Sequence, residues 1–162
     1  MGATNGIKRL ISDGAVDLGV TLNEGTLGEF DKTIIAKGRF RLWVPGKTPR
    51  MTKDFLVTED RPETLALKKA YRKKFKAELP VAMQVGSWEI LLELCKAGFG
   101  TAFIPEYMVS PSRREYVAEN KSGLGSFPYE MVIICKDQSI LPRNANLFRE
   151  FVLQKTLGNP SP

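Results

Sequence analysis

Gln84 to Met108, QVGSWEILLELCKAGFGTAFIPEYM, is the stretch from which the fold can be read. Just upstream, Val81, Met83 and Val85 alternate toward Gly86, which predicts a strand ending in a turn. Ser87 stands where a helix N-cap belongs, its hydroxyl able to accept from a backbone N–H of the first turn. Ile90, Leu91, Leu94 and Cys95 recur at helical spacing and give that helix one apolar face. Gly98 ends it as a glycine just past a helix does. Thr101 to Ile104 then read as a short apolar strand that Pro105 stops. A strand–helix–strand unit predicts a parallel pair with a right-handed crossover. In open α/β sheets, small ligands sit beside the carboxyl ends of such strands. Two places fit: the Gly86-Ser87 turn and the Ile104-Pro105 exit.

Toward the N-terminus, Gly6 to Ser12 reads as a helix with Ile7, Leu10 and Ile11 on one face. Gly14 ends it, and Val16 to Leu22 follows as a strand. Asn23 to Gly28 is a polar loop. Thr33 to Ala36 and Arg39 to Val44 read as two strands around Lys37-Gly38. Pro45 to Pro49 (PGKTP) is a strong break and the expected crossing between two lobes. Asp54 to Thr58 predicts a buried strand, and Pro62 opens a basic helix to about Ala77, with Leu67, Tyr71 and Phe75 inward. Beyond Pro105, Arg113 to Glu119 reads as a short helix and Lys121 to Pro128 as loop. Tyr129 to Lys136 is a strand, and Asn144 to Lys155 a helix with Leu147, Phe148, Phe151 and Val152 on its inner face. Strands and helices alternate, so the class is α/β. The expected division is 1–48 with 130–157 as lobe one, 49–129 as lobe two, and 158–162 as a disordered tail.

The 162 residues contain no histidine, which removes Ser-His-Asp and Cys-His catalysis and most zinc sites. Cys95 and Cys135 both fall on apolar elements and read as buried small hydrophobes. No apolar run approaches the roughly 18 residues of a membrane span, and no signal segment is evident, so a cytoplasmic location is expected. The net charge of +6 owes much to Lys68, Lys69, Arg72, Lys73, Lys74 and Lys76. That cluster suits a polyanion, as in a nucleic-acid or acidic-partner binder, or is the solvated face of an amphipathic helix. Asp17, Glu59 and Asp60 lie near strand ends, where a carboxylate pair can do acid/base work. No nucleophile elbow, dinucleotide fingerprint or phosphate loop is present, so neither an enzyme nor a cofactor is expected. Binding is the better reading. Ser87 and the N–H groups after it would face a cleft between the lobes, joined by the hydroxyls of Thr58 and Thr21. Glu89, in the first helical turn, would oppose an anion placed very close. The alternative for Ser87 is a cap and nothing more.

SDGAVDLGV, the proline-glycine crossing, FLVTED, VGSWEILLELCKAGFGTAFIPEYMV, MVIICK and NLFREFVLQ, in that order, resemble the effector-binding domain of LysR-type transcriptional regulators. The most specific piece is Ser87 through Pro105, and Gly14-x-x-Asp17-Leu18 is the second. The resemblance implies a two-lobed fold of the type 2 periplasmic-binding-protein kind, a small-molecule effector in the cleft, and a homo-oligomer. It implies effector contacts from Gly86 and Ser87, from Thr58 and Glu59, from Thr21 or its neighbours, and from Phe103, Ile104 and Pro105. A stand-alone solute-binding protein of the same fold is the alternative. The family's winged helix-turn-helix, its linker helix, and the first strand of lobe one with the helix and strand after it have no counterpart in these residues. N-terminal truncation, natural or by cutting, is therefore expected, as is an inability to bind DNA alone in the family manner. An open edge beside Val16 to Thr21 would then invite self-association.

Overall fold

The computed structural model describes residues 3–22, 28–46, 53–109, 115–119 and 122–157. In chain order they form α1 (Ala3–Ser12), β1 (Leu18–Leu22), β2 (Asp31–Pro45), β3 (Phe55–Val57), α2 (Pro62–Phe75), β4 (Val81–Gln84), α3 (Trp88–Lys96), β5 (Thr101–Pro105), β6 (Tyr116–Ala118), β7 (Phe127–Cys135) and α4 (Arg143–Leu157). Single 3-10 turns at Glu106–Met108 and Gln138–Ile140 follow β5 and β7. The class is α/β. The chain packs as two units, one of residues 1–37 and 129–162, the other of residues 38–128.

The second unit holds Gln84 to Met108. Its strands run β2-β5-β3-β4, with β6 also on β2. β5 is antiparallel to β2, pairing Phe40 with Pro105 through Trp43 with Ala102. It is parallel to β3, and β3 is parallel to β4. The predicted parallel partners β4 and β5 are thus not neighbours, because β3 lies between them. All five residues of β5 are buried, as a continuous apolar run in an interior strand requires. Gly100 admits this packing: a Cβ there would stand 2.9 Å from both the Asp54 carbonyl oxygen and Leu56 Cγ. α3 closes over the sheet with Leu91, Leu92 and Cys95, none more than 2% exposed. A helix of nine residues is marginal alone, so these buried side chains, at about 1.5–3 kcal/mol for a leucine, sustain it. Its end is a Schellman motif: Gly98 N–H donates to Cys95 O at 2.9 Å and Phe99 N–H to Leu94 O at 3.0 Å. Gly98 has φ +85°, a left-handed backbone that suits glycine.

In the first unit, β1 and β2 flank β7, and β1 is antiparallel to β7 from Leu18–Cys135 to Leu22–Met131. Ile7 and Ile11 of α1 pack with Val132, Ile134 and Phe30, while Leu10, expected inward, is 44% exposed.

Other expectations are corrected. The two strands around Lys37-Gly38 are one, because Gly38 keeps an extended backbone. The division between the two units falls at Lys37/Gly38, inside β2. Residues 47–49 of that break, 23–27 of the first loop and the tail 158–162 lie outside the described residues. Part of the helix expected at Arg113–Glu119 is strand β6, whose Tyr116, Val117 and Ala118 pair with Pro45, Val44 and Trp43. Residues 113 and 114 are outside the description. Phe127 and Pro128, assigned to loop, begin β7. On α4 most of the expected inner face points outward: Leu147, Phe148 and Phe151 are 48–57% exposed, Val152 is half-buried, and Ala145 is buried. Phe75 of α2 is also 43% exposed, whereas Leu67 is fully buried and Tyr71 meets Phe55 edge-on at 5.6 Å.

Candidate functional site

β3, β4 and β5 point the same way, so their carboxyl ends come together in the second unit. Thr58 and Glu59 leave β3, Gly86 and Ser87 leave β4, and Ile104-Pro105 close β5. Val85 N–H donates to Val57 O at 3.0 Å and holds the first two exits side by side. α2 and α3 both begin here, so two positive helix ends share one edge of the sheet.

Ser87 is the N-cap of α3, as the sequence predicts: its Oγ accepts from Ile90 N–H at 3.4 Å. The same hydroxyl donates to Glu89 Oε2 at 2.7 Å. That bond, with help from Glu89's own N–H, holds the Glu89 carboxyl below the usual carboxylate range. Glu89 therefore already complements the start of α3. Gly86 lies next to Glu59, whose Oε1 is 3.8 Å from where a Cβ on Gly86 would stand.

Thr58 is 1% exposed, and its hydroxyl is committed inward. It shares a hydrogen bond of 2.8 Å with Thr64 and donates to Glu63 Oε1 at 3.4 Å, tying the end of β3 to the first turn of α2. Asp60 is taken up by the Lys68 ammonium and, at 3.4 Å, by the Gln84 amide. Phe103 and Ile104 are at most 1% exposed, and Pro105 is buried as well. Phe103 packs against Phe40 and Phe127, and Ile104 against Leu56 and Leu91. Thr21 belongs to the first unit, where its hydroxyl meets Thr4 Oγ1 at 2.8 Å beneath α1. Asp17, also in that unit, lines a hollow of about 150 Å³ with Lys136 and Asp137.

Two residues that the motifs did not single out complete the edge. Arg61, the N-cap of α2, donates from Nη2 to Gly86 O at 3.1 Å and lies 5.4 Å over the Trp88 ring. Trp88 in turn meets Phe40 and Tyr107 edge-on. Its indole N–H is buried and has no hydrogen-bond partner among the described residues. The only local signal was position: each stands at the opening of a helix that follows a strand. Their meeting joins loops 25 residues apart, which no spacing rule specifies.

Chemically the edge offers one guanidinium, the carboxylates of Glu59 and Glu89, and backbone at two helix starts. Among the described residues no group of three or more His, Cys, Asp or Glu could hold a metal ion. Cys95 and Cys135 are free and buried; burial pushes both thiols up, and Cys95 Sγ donates to Trp43 O. No helix of the described residues is long and apolar enough to cross a membrane.

Comparison with curated proteins found no match. Among solved structures, the bromide-bound regulatory domain of HypT from Salmonella typhimurium is similar, with TM-score 0.80 at 13% identity, over 98% of this chain and 81% of that one. The Synechocystis PCC6803 CcmR regulatory domain in complex with 2-PG gives TM-score 0.74 at 12% identity, over 96% and 81%. Vibrio fischeri DarR in complex with DNA gives 0.75 at 13%, over 92% of this chain and 54% of that one. The family model described as LysR substrate binding domain matches residues 1–156. The chain belongs to the LysR substrate-binding domain family.

Proposed function

We propose that the chain senses a small-molecule effector for a LysR-type transcriptional regulator, and that it acts by binding, without catalysis. The observation that carries this is the shared edge where Arg61, Gly86, Ser87 and Glu59 meet at the carboxyl ends of parallel strands. Arg61 and the start of α3 favour an anionic group on the ligand. Glu59 and Glu89 accept hydrogen bonds from its hydroxyl or amino groups. The buried Phe103, Ile104 and Pro105 form the floor beneath, and Thr58 fixes the wall. Among structures of this fold, the HypT domain holds bromide and the CcmR domain 2-PG, which agrees with an anion-compatible site. Sensing follows from differential affinity, since a ligand that prefers one conformation raises its population. A cytoplasmic location fits such a role.

A thermal-shift screen of small carboxylates, phosphates and halides tests this. A ligand at 100 times its Kd adds about 2.7 kcal/mol to the native state. Arg61→Gln should weaken such a ligand by tenfold or more, because a hydrogen bond to a charged group contributes about 1.5–3 kcal/mol. Failure of every anion to raise the melting temperature at millimolar concentration would sink the reading.

A second reading has one observation in its favour: Lys69, Arg72, Lys73 and Lys76 of the α2 segment are all exposed. Contact with a polyanion through them would fall steeply with salt, which a gel-shift series in increasing chloride measures.

A further inference from the structure

We propose that the exposed stripe of Lys69, Arg72, Lys73 and Lys76 along α2 seats the phosphate backbone of duplex DNA, without reading its sequence. This rests on the second reading above and narrows its partner to one kind. The four residues stand at i, i+3, i+4 and i+7, so they share one side of the helix. All four are exposed, and no ion pair joins Lys69, Lys73 or Lys76 among the described residues. Arg72 meets Glu78 at 2.6 Å, in a pair whose side chains are 65% and 71% exposed. So exposed a pair is weak and yields to a phosphate. The other cations of the helix are engaged elsewhere: Lys68 holds Asp60, and the Lys74 ammonium lies 5.7 Å over the Phe75 ring, beside Gly123. Like charges at these spacings repel and weaken a helix. A face laid out for water alone intersperses acids with bases, yet α2 has no acid between Glu63 and Glu78. The negative end of the helix accounts for cations in its last turn, but Lys69 stands before that turn.

The backbone of Lys76 is an independent sign. Its φ of +54° is the only positive value outside glycine among the described residues. Glycine is the usual occupant of such a left-handed helix end, because a Cβ is disfavoured there. A lysine in its place keeps an ammonium at the end of the stripe at the expense of backbone strain. From Lys69 to Lys76 the stripe runs about 10 Å, at about 1.5 Å per residue. One strand of a duplex presents a phosphate every 3.4 Å or so, which sets about three phosphates against the four cations. What the stripe lacks favours a duplex over other polyanions. Single strands are held by stacking their bases on aromatic rings, and the stripe contains no ring. Tyr71 and Phe75 are packed on one another, with centroids 4.6 Å apart, and Tyr71 on Phe55. An acidic protein surface binds around an apolar centre, and the large apolar residue nearest in line, Leu65, stands a turn before Lys69, outside the span of charge.

Fluorescence anisotropy of a short labelled duplex of arbitrary sequence, titrated with the full chain in increasing potassium chloride, tests the proposal. The logarithm of Kd should rise against the logarithm of salt with a slope of about 3, at about 0.9 per phosphate contact. Lys73→Gln should lower that slope by about one. Lys32→Gln, at an exposed residue of β2, removes the same charge and should leave the slope where it was. Lys76→Gly separates binding from folding. It should raise the melting temperature by relieving the backbone, and still lower the slope by about one, which loss of a merely structural lysine would not do. Failure of the duplex, of heparin and of polyglutamate to bind at low salt would sink this proposal and the second reading together. Binding of heparin or polyglutamate without the duplex, or of single-stranded RNA more tightly than the duplex, overturns the proposal and leaves that reading standing. A duplex complex with the same slope in Lys69→Gln, Lys73→Gln and Lys76→Gly lies on another surface and overturns both.

Discussion

Ser87 has two loads that a single substitution separates. Its Oγ accepts from Ile90 N–H and donates to Glu89. Ser87→Ala should cost about 1 kcal/mol by denaturant melting, the usual loss for an N-cap. It should also release the Glu89 carboxyl toward the ordinary glutamate range, a shift that NMR titration reads directly. The sign follows from the depressed folded pKa: the Glu89 contribution is present above the unfolded value, about 4.3, and is lost as pH falls through the lower folded value. Acid melting of the wild type should therefore be steeper than that of Ser87→Ala across this window. Unchanged Glu89 titration in the variant would show that the hydroxyl does not hold the carboxylate. Gly100 offers a sharper contrast. Its absent Cβ would meet Asp54 O and Leu56 Cγ at 2.9 Å, so Gly100→Ala should destabilise by roughly 1–3 kcal/mol. At this scale the sequence was informative, because a cap, a helix-ending glycine and a proline stop act within a few residues. Thr58 was legible only in part. Its place at a strand end was plain, but its hydroxyl turns inward to Thr64 because the first turn of α2 lies over it.

Elements divide according to whether their surroundings are local. α3 and β5 announced themselves because one carries an apolar stripe at helical spacing and the other an unbroken apolar run. β6 did not, since three residues cannot display a period and the strand exists through its pairing with β2. α4 shows the limit best. It carries apolar residues on more than one side, and the first unit buries Ala145 while Arg149 donates to Gln138 at 2.6 Å. Leu147, Phe148 and Phe151 are left facing out. Phe151→Ser should accordingly change stability by no more than about 0.5 kcal/mol, as surface substitutions do. Leu67→Ala on α2, fully buried, should cost about 2–5 kcal/mol. Urea melts of the two variants check both, and a large loss at Phe151 would mean that its ring packs against a partner surface in solution.

On the scale of the whole molecule, the sequence implied two units with the chain leaving and returning, and set the expected passage at the proline-rich break. A break in composition marks where the backbone turns. A unit boundary marks where packing changes partners, and in β2 that change happens along an uninterrupted strand. The two units differ in how they are built. The second is a single stretch, 38–128, and keeps a core of Leu56, Leu91, Leu92, Cys95, Ala102, Ile104, Val109 and Tyr116 within it. The first is assembled from both ends of the chain around the smaller cluster of Ile11, Val132 and Ile134. Its chain-closure entropy is larger and its buried apolar surface smaller, so its local openings should need less free energy. Hydrogen exchange of the full chain measures this: amides of α1 and β1 should exchange through low-energy openings, whereas those of β3 and β5 should approach the global unfolding limit. Equal protection of β1 and β5 would mean that the first unit is stabilised by more than its own cluster.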